Sequence, residues 1–275
     1  MQGKEKMFKK WMTAAAVAVI AAGNAAAGEL VINGSTTVLP IVQKASEAFA
    51  RENPSTSVSL SGGGSGNGIK ALVDSLTHIA MSSRDIKPSE VELAKNKGIA
   101  PNRIAVAVDA IVPVVNPANR VKALSLAQLK DIYEGKIRNW KEVGGANAPI
   151  VVVSRDTSSG TFETWESLVM KKARVTSRAL LQTSNGTVVQ TVSKNRNALG
   201  YIGIGYLDKQ IRALSVEGKQ ATQQSARDRT WPLARELYFF TNGTPTGEAK
   251  KFVDFMLDPA KGQTYVRQTG FVPLN

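Results

Sequence analysis

The 275-residue sequence predicts an α/β protein with mostly parallel sheets. Three observations predict it. Strand, hydroxyl- or glycine-rich turn and amphipathic helix follow one another repeatedly along the chain. The run from Ile104 to Val115 is almost continuously β-branched residues and Ala, as in a strand buried on both faces. The hydrophobic fraction of 43% against 21% charged residues supports a real core, at a length suited to one large domain or two lobes.

Met1–Lys10 carries Lys4, Lys6, Lys9 and Lys10, an apolar run follows from Trp11 to Ala22, and Ala25–Ala27 supplies small residues. This layout predicts a cleavable secretory signal over residues 1–27. Cleavage after Ala27 removes four Lys and one Glu, three of the +13 charges, and leaves +10. Glu29–Asn33 then reads as a strand. Ile41, Ala45, Ala48 and Phe49 fall on one helical face, which Asn53-Pro54 stops. Val58 and Leu60 alternate with serines in a second strand, and Ile69, Leu72, Val73 and Leu76 line the next helix. Ile79–Met81 is a third strand. Ser89 and Glu92 make a capping box behind Pro88.

After the long apolar run, Ser125 and Gln128 cap a helix carrying Leu129 and Ile132. Ile150–Val153 is a strand, followed by a helix with Phe162, Trp165, Leu168 and Val169. Val188, Val189 and Val192 mark a helix and Ala198–Tyr206 a strand. Leu237–Phe240 is the last strand, before helices around Phe252–Leu257 and Ala260–Arg267. The pairs Asn33-Gly34, Asn185-Gly186 and Asn242-Gly243 form glycosylation sequons, but turn chemistry explains them more simply.

Composition excludes several chemistries. With no Cys there is no disulfide framework, thiolate nucleophile, Cys-zinc site or lipid-modified cysteine. His78 is the only imidazole, which excludes a multi-histidine metal centre. No cofactor or metal is expected. The positive charge suggests an anionic partner, yet aromatics are only 6% and no nucleic-acid recognition module appears, so no nucleic-acid partner is expected.

Three turns carry the chemistry: Gly34–Thr37, Gly62–Gly66 and Arg155–Thr161. Each follows a strand and feeds a helix, the place where open α/β folds bind ligands. Free N–H groups and the helix dipole favour an anion there, although Ser and Thr before a helix also serve as ordinary caps. The Gly spacing matches neither a P-loop nor a dinucleotide fingerprint, so the ligand should be a small oxyanion. Arg155 supplies a full charge and a two-pronged donor; Asp156 either orients it or starts the loop. Asp109 interrupts an apolar run, where an ionised carboxylate is costly without a donor. Hydrogen phosphate keeps a proton that Asp109 could accept; sulfate has none.

Val31–Pro40, Gly62–Ile69, Met81–Arg84, Asp109-Ala110, Ser154–Thr161 and Gly270–Pro273, taken in order, resemble the periplasmic phosphate-binding protein family of bacterial phosphate ABC transporters. The resemblance implies a two-lobed periplasmic binding protein of the type II, Venus-flytrap kind, with a double-crossover hinge and no catalysis. It implies phosphate held by Thr36, Thr37, Ser65, Ser83, Asp109, Arg155, Ser159, Gly160 and Thr161, with Ser35 and Asp156 as secondary candidates. Ser83 stands where some members carry the proton-accepting Asp, and Ala110 where many carry Gly.

Residues 28–107 and 238–275 should build the first lobe and 108–237 the second, with crossings near Val108 and Glu236. The expected product is a monomeric, unanchored periplasmic carrier that delivers inorganic phosphate to a membrane permease. A receptor for sulfate, molybdate or tungstate is the near alternative. A secreted phosphate-ester hydrolase is the remote one, because a nucleophile such as Ser159 would need an activating base.

Overall fold

The computed structural model describes residues 28–274; the expected export signal lies outside them. In chain order the elements are β1 (Gly28–Gly34), α1 (Leu39–Glu52), β2 (Thr56–Gly62), α2 (Ser65–Val73), β3 (Ile79–Ser82), α3 (Pro88–Asn96), β4 (Pro101–Val115), β5 (Ala123–Leu124), α4 (Leu126–Glu134), β6 (Val151–Arg155), α5 (Gly160–Leu168), β7 (Leu180–Gln182), α6 (Asn185–Lys194), β8 (Ala198–Gly203), β9 (Arg212–Ala213), β10 (Ser215–Val216), α7 (Gln223–Arg227), β11 (Ala234–Asn242), α8 (Gly247–Leu257) and α9 (Gly262–Gln268).

The main sheet runs in the order β2-β1-β3-β11-β4-β8-β6-β7, with β9 added to β4. Its two ends are parallel: β1 with β2 and β3, and β6 with β7 and β8. The centre is antiparallel, because β4 pairs with β11 over its first part and with β8 and β9 over its last. The long apolar strand is therefore buried from Val106 onward, and it joins two parallel halves. Its fifteen residues are long enough to pass from one half to the other.

Val108 stands opposite Glu236 in the β4–β11 ladder, and Asp109 opposite Arg235. The register slips between Leu237 and Tyr238, next to this crossing. An irregularity of this kind bends and twists the ladder. The largest hydrophobic cluster extends through both halves, from Phe49 and Phe252 in the first to Trp165 and Tyr201 in the second. In that second half Trp165 stacks on Tyr201 with ring centroids 4.2 Å apart.

Three local readings need correction. α2 stops at Val73, and Leu76 is 70% exposed rather than on its buried face; Ser75, at φ 57°, has already turned the chain away. At α3, Pro88 takes the first turn, so Lys87 caps the helix. Glu90, not Glu92, reaches back to accept from the Lys87 N–H at 2.9 Å. β8 ends at Gly203 rather than running to Tyr206, because the Ile204 N–H leaves the ladder to donate to Asp109 Oδ1 at 3.0 Å. The Ser125–Gln128 capping box is present on α4.

Candidate functional site

The turns after β1, β2 and β6 meet at the centre of the molecule, as the sequence suggested, and a fourth joins them. Ser35, Thr36, Thr37, Ser65, Ser83, Asp109, Arg155, Ser159 and Thr161 are all buried. Gly64, at φ 101°, starts α2 and places Ser65 on its first turn. Ser83 N–H donates to Ser65 Oγ at 3.0 Å. Gly160 begins α5 directly against this pair, where a side chain would lie within 2.8 Å of Ser83 Oγ.

Arg155 ends β6 and is 1% exposed. Its Nε donates to Gln182 O and its Nη2 to Thr183 O, both at 3.0 Å, so the neighbouring strand β7 anchors it through backbone carbonyls. Nη2 also reaches Thr36 Oγ1 at 3.3 Å. The strand beneath is fixed in turn: Tyr201 OH accepts from the Arg155 N–H at 3.2 Å and shares a bond with Ser154 Oγ at 2.9 Å. Burial pushes the Tyr201 hydroxyl up to about 12, which keeps it neutral. Asp156 does not orient Arg155 by a hydrogen bond. It accepts from the backbone N–H and hydroxyl of Ser158, so it shapes the loop. Ser159 Oγ accepts from Phe162 N–H at 3.2 Å, which makes it the α5 cap.

Asp109 is fully buried, and its donor is a residue not anticipated from the sequence, Arg235. Arg235 Nε and Nη2 donate to Asp109 Oδ2 at 2.9 and 2.7 Å, while Ile204 N–H takes Oδ1. Burial pushes the Asp109 carboxyl up, opposed by the Arg235 charge beside it. Arg235 Nη2 continues to Thr161 Oγ1 at 2.9 Å, and Thr161 lies 3.0 Å from Thr37 Oγ1. A second unanticipated residue, Asn185, opens α6 and is fully buried. Its Nδ2 donates to Thr37 Oγ1 at 3.0 Å and Thr36 Oγ1 at 3.3 Å, and its Oδ1 accepts from Gly203 N–H at 3.1 Å.

One hydrogen-bonded cluster thus links Arg155, Thr36, Asn185, Thr37, Thr161, Arg235 and Asp109, and it joins the turns of both halves. Two guanidinium nitrogens in it, Arg155 Nη1 and Arg235 Nη1, are buried with no hydrogen-bond partner. Buried N–H groups of this kind are costly unless an acceptor serves them. The sole imidazole is not part of the cluster: His78 Nδ1 accepts from the Val31 N–H at 2.9 Å.

A doubly connected α/β fold with a polar site between its halves defines the class of two-lobed binding proteins, and the PBP superfamily domain matches residues 19–260. The phosphate-binding protein PstS of Bacillus subtilis is 32% identical over 250 residues, which cover 90% of this chain and 82% of that protein. PstS of Borreliella burgdorferi is 30% identical over 253 residues, 88% of each chain. The chain belongs to this PstS family within the PBP superfamily. Among solved structures, a chain from Clostridium perfringens described as a phosphate ABC transporter substrate-binding protein with bound phosphate superposes with a TM-score of 0.84. It is 34% identical, over 90% of this chain and all of that one. An ABC-type phosphate transport receptor from Vibrio cholerae gives a TM-score of 0.73 at 33% identity, over 88% of this chain and 99% of that one.

Proposed function

We propose that this protein captures inorganic phosphate between its two halves outside the cytoplasm and delivers it to the membrane permease of a phosphate ABC transporter. The observation that carries the reading is the pair of buried, unserved guanidinium nitrogens set in a cluster of hydroxyl donors. Such a cluster suits a small oxyanion with four oxygens better than a nucleotide or polyanion. The names and bound ligand of the relatives select phosphate among such anions. Those relatives are transport receptors, and capture rather than turnover is the role of this chain.

In this reading Thr36, Thr37, Ser65, Ser83, Ser159, Gly160 and Thr161 supply hydroxyl and backbone donors, and Arg155 and Arg235 supply charge-assisted ones. Asp109 aims Arg235 and keeps capacity on Oδ1 to accept a proton from hydrogen phosphate. Ser35 holds the first turn, accepting from the Thr37 N–H at 3.1 Å. The lobes are residues 28–107 with 238–275, and 108–237. Their hinge lies at Val108 and Glu236, the two residues that face each other across the ladder. Closure then needs only a few backbone rotations at that point. Among the described residues no helix is long and apolar enough to cross a membrane. The proposed carrier works as a free monomer once residues 1–27 are removed.

Calorimetric titration of ligand-stripped protein with phosphate, sulfate, molybdate and tungstate tests this. Phosphate should bind at least about a thousandfold better than sulfate, the order expected when a site demands a hydrogen bond that the competitor lacks. Equal affinities would overturn the phosphate assignment. They would favour the second reading, a receptor for another tetrahedral oxyanion. The engagement of Asp109 by Arg235 speaks for that reading, since a carboxylate already satisfied by the protein demands less of its ligand.

A further inference from the structure

A second set of contacts joins the two halves beside the candidate site, and none of its side chains belongs to the hydroxyl cluster. Arg84 follows β3 and is 8% exposed. Its Nη1 and Nη2 bond the two carboxylate oxygens of Glu90, each at 2.7 Å, so a partner on its own half pins the guanidinium. The remaining nitrogen, Nε, lies 2.8 Å from Glu163 Oε2 on α5 of the other half. Lys87 Nζ lies 2.7 Å from the same oxygen.

The surfaces around this ion pair are fitted to each other. Ser158 Oγ lies 3.1 Å from Gly63 O, and Gly66 N–H donates to Ser158 O at 2.9 Å. A side chain on Gly64 would overlap Ser158, and one on Gly160 would lie within 3.0 Å of Arg84 Cγ. The glycine-rich turn therefore seats the opposite loop as well as bordering the anion site.

We propose that Glu163, gripped by Arg84 and Lys87, is a positioning residue that clasps the halves and sets how long any captured anion stays. The ligand named here rests on the phosphate reading; the clasp itself does not. The charges allow the clasp to open. When the halves part, Arg84 keeps both bonds to Glu90, so no buried charge is orphaned. Glu163 enters water from the first turn of α5, where the helix dipole favours its charge in either state. Favouring the closed state raises apparent affinity for every ligand by the same factor, so the clasp acts on residence time and not on selectivity.

The test compares wild-type protein with Glu163→Gln and, as a milder variant on a half-exposed side chain, Lys87→Gln. Small-angle scattering of ligand-stripped protein should show a larger radius of gyration for Glu163→Gln, with a smaller increase for Lys87→Gln. Stopped-flow release of phosphate should be about tenfold faster in Glu163→Gln, equivalent to about 1.4 kcal/mol. Its dependence on ionic strength should be flatter than in wild type. The phosphate-to-sulfate affinity ratio should not move. Stripped variants as compact as wild type would overturn the clasp, whatever the binding data. Expanded variants of a wild type that fails to bind phosphate would support the clasp and overturn the phosphate reading.

Discussion

Arg155 and Arg235 are both buried against the same hydroxyl cluster, yet they are held in different ways. Arg155 is anchored by two backbone carbonyls of the neighbouring strand end, and no carboxylate bonds it. Arg235 is anchored by Asp109, its direct cross-strand partner. Within hydrogen-bonding reach the first charge is uncompensated, whereas the second is neutralised by Asp109. Burial lowers the affinity of both guanidiniums for their protons, and at Arg235 the hydrogen-bonded Asp109 carboxylate opposes that effect. In the proposed site an arriving anion would neutralise Arg155, while Arg235 would contribute oriented N–H bonds with little net charge. On that proposal the cluster suits a small anion without being a general anion trap.

The largest expected effect breaks the uncompensated side. Arg155→Ala should weaken phosphate binding by about a thousandfold, the loss of two charge-assisted bonds at about 1.5–3 kcal/mol each. Folding should hardly suffer, because no buried carboxylate is left alone. Calorimetry with a thermal melt measures both, and retained affinity would remove Arg155 from the site.

The compensated side should behave in the opposite way. Asp109→Ala strands a buried guanidinium and should cost about 3–5 kcal/mol of stability. Replacing both partners, Asp109→Leu with Arg235→Met, should recover most of that stability, because apolar residues often replace a buried ion pair without loss. Phosphate binding should remain lost. Denaturant titration of the single and double variants decides the matter, and equal losses would deny that the pair is a unit. In the milder Asp109→Asn, a phosphate-to-sulfate gap narrower than in wild type would assign the proton-accepting role to Asp109; an unchanged gap would move it elsewhere.

The two sides also differ in how far the sequence revealed them. Arg155 lies in a loop whose strand, hydroxyls, glycine and helix are consecutive, so local rules identify the site. Arg235 lies just before the apolar stretch Leu237–Phe240 that reads as the last strand, and its meaning depends on Asp109, 126 residues away in sequence. The expected crossings at Val108 and Glu236 put 109 opposite 235 only once the antiparallel register is known. Asn185 was hidden differently. Asn-Gly is the commonest turn signal, and only its burial at the start of α6 shows that the side chain bonds Thr36 and Thr37. Local elements were mostly legible, except where a tertiary bond overrode them, as Asp109 does to Ile204. The antiparallel centre was illegible because burial on both faces says nothing of strand direction.

Asn185→Ala should have an intermediate effect, because it removes a neutral bridge between the two sides. One hydrogen bond in place of a charge suggests a loss of about tenfold in phosphate affinity, with Arg155 and Arg235 still anchored. A loss as large as that of Arg155→Ala would mean that Asn185 itself contacts the anion.

The smallest effect is expected from a carboxylate that resembles Asp109 only on paper. Asp74, at the surface, accepts from both Lys70 and Lys97. Those bonds hold its carboxyl down from 3.8 to about 2. A carboxylate whose folded pKa lies below its unfolded one stabilises the protein above the unfolded value, and loses that contribution as pH falls toward the folded one. Melting temperatures of wild type and Asp74→Asn should therefore differ slightly near neutral pH and converge between about pH 4 and pH 2. Salt should shrink the difference, because solvent screens exposed pairs. A gap that persists at pH 2, or that resists salt, would mean that Asp74 acts by packing rather than by charge. The distinction between surface and buried carboxylates would then need another basis than solvent.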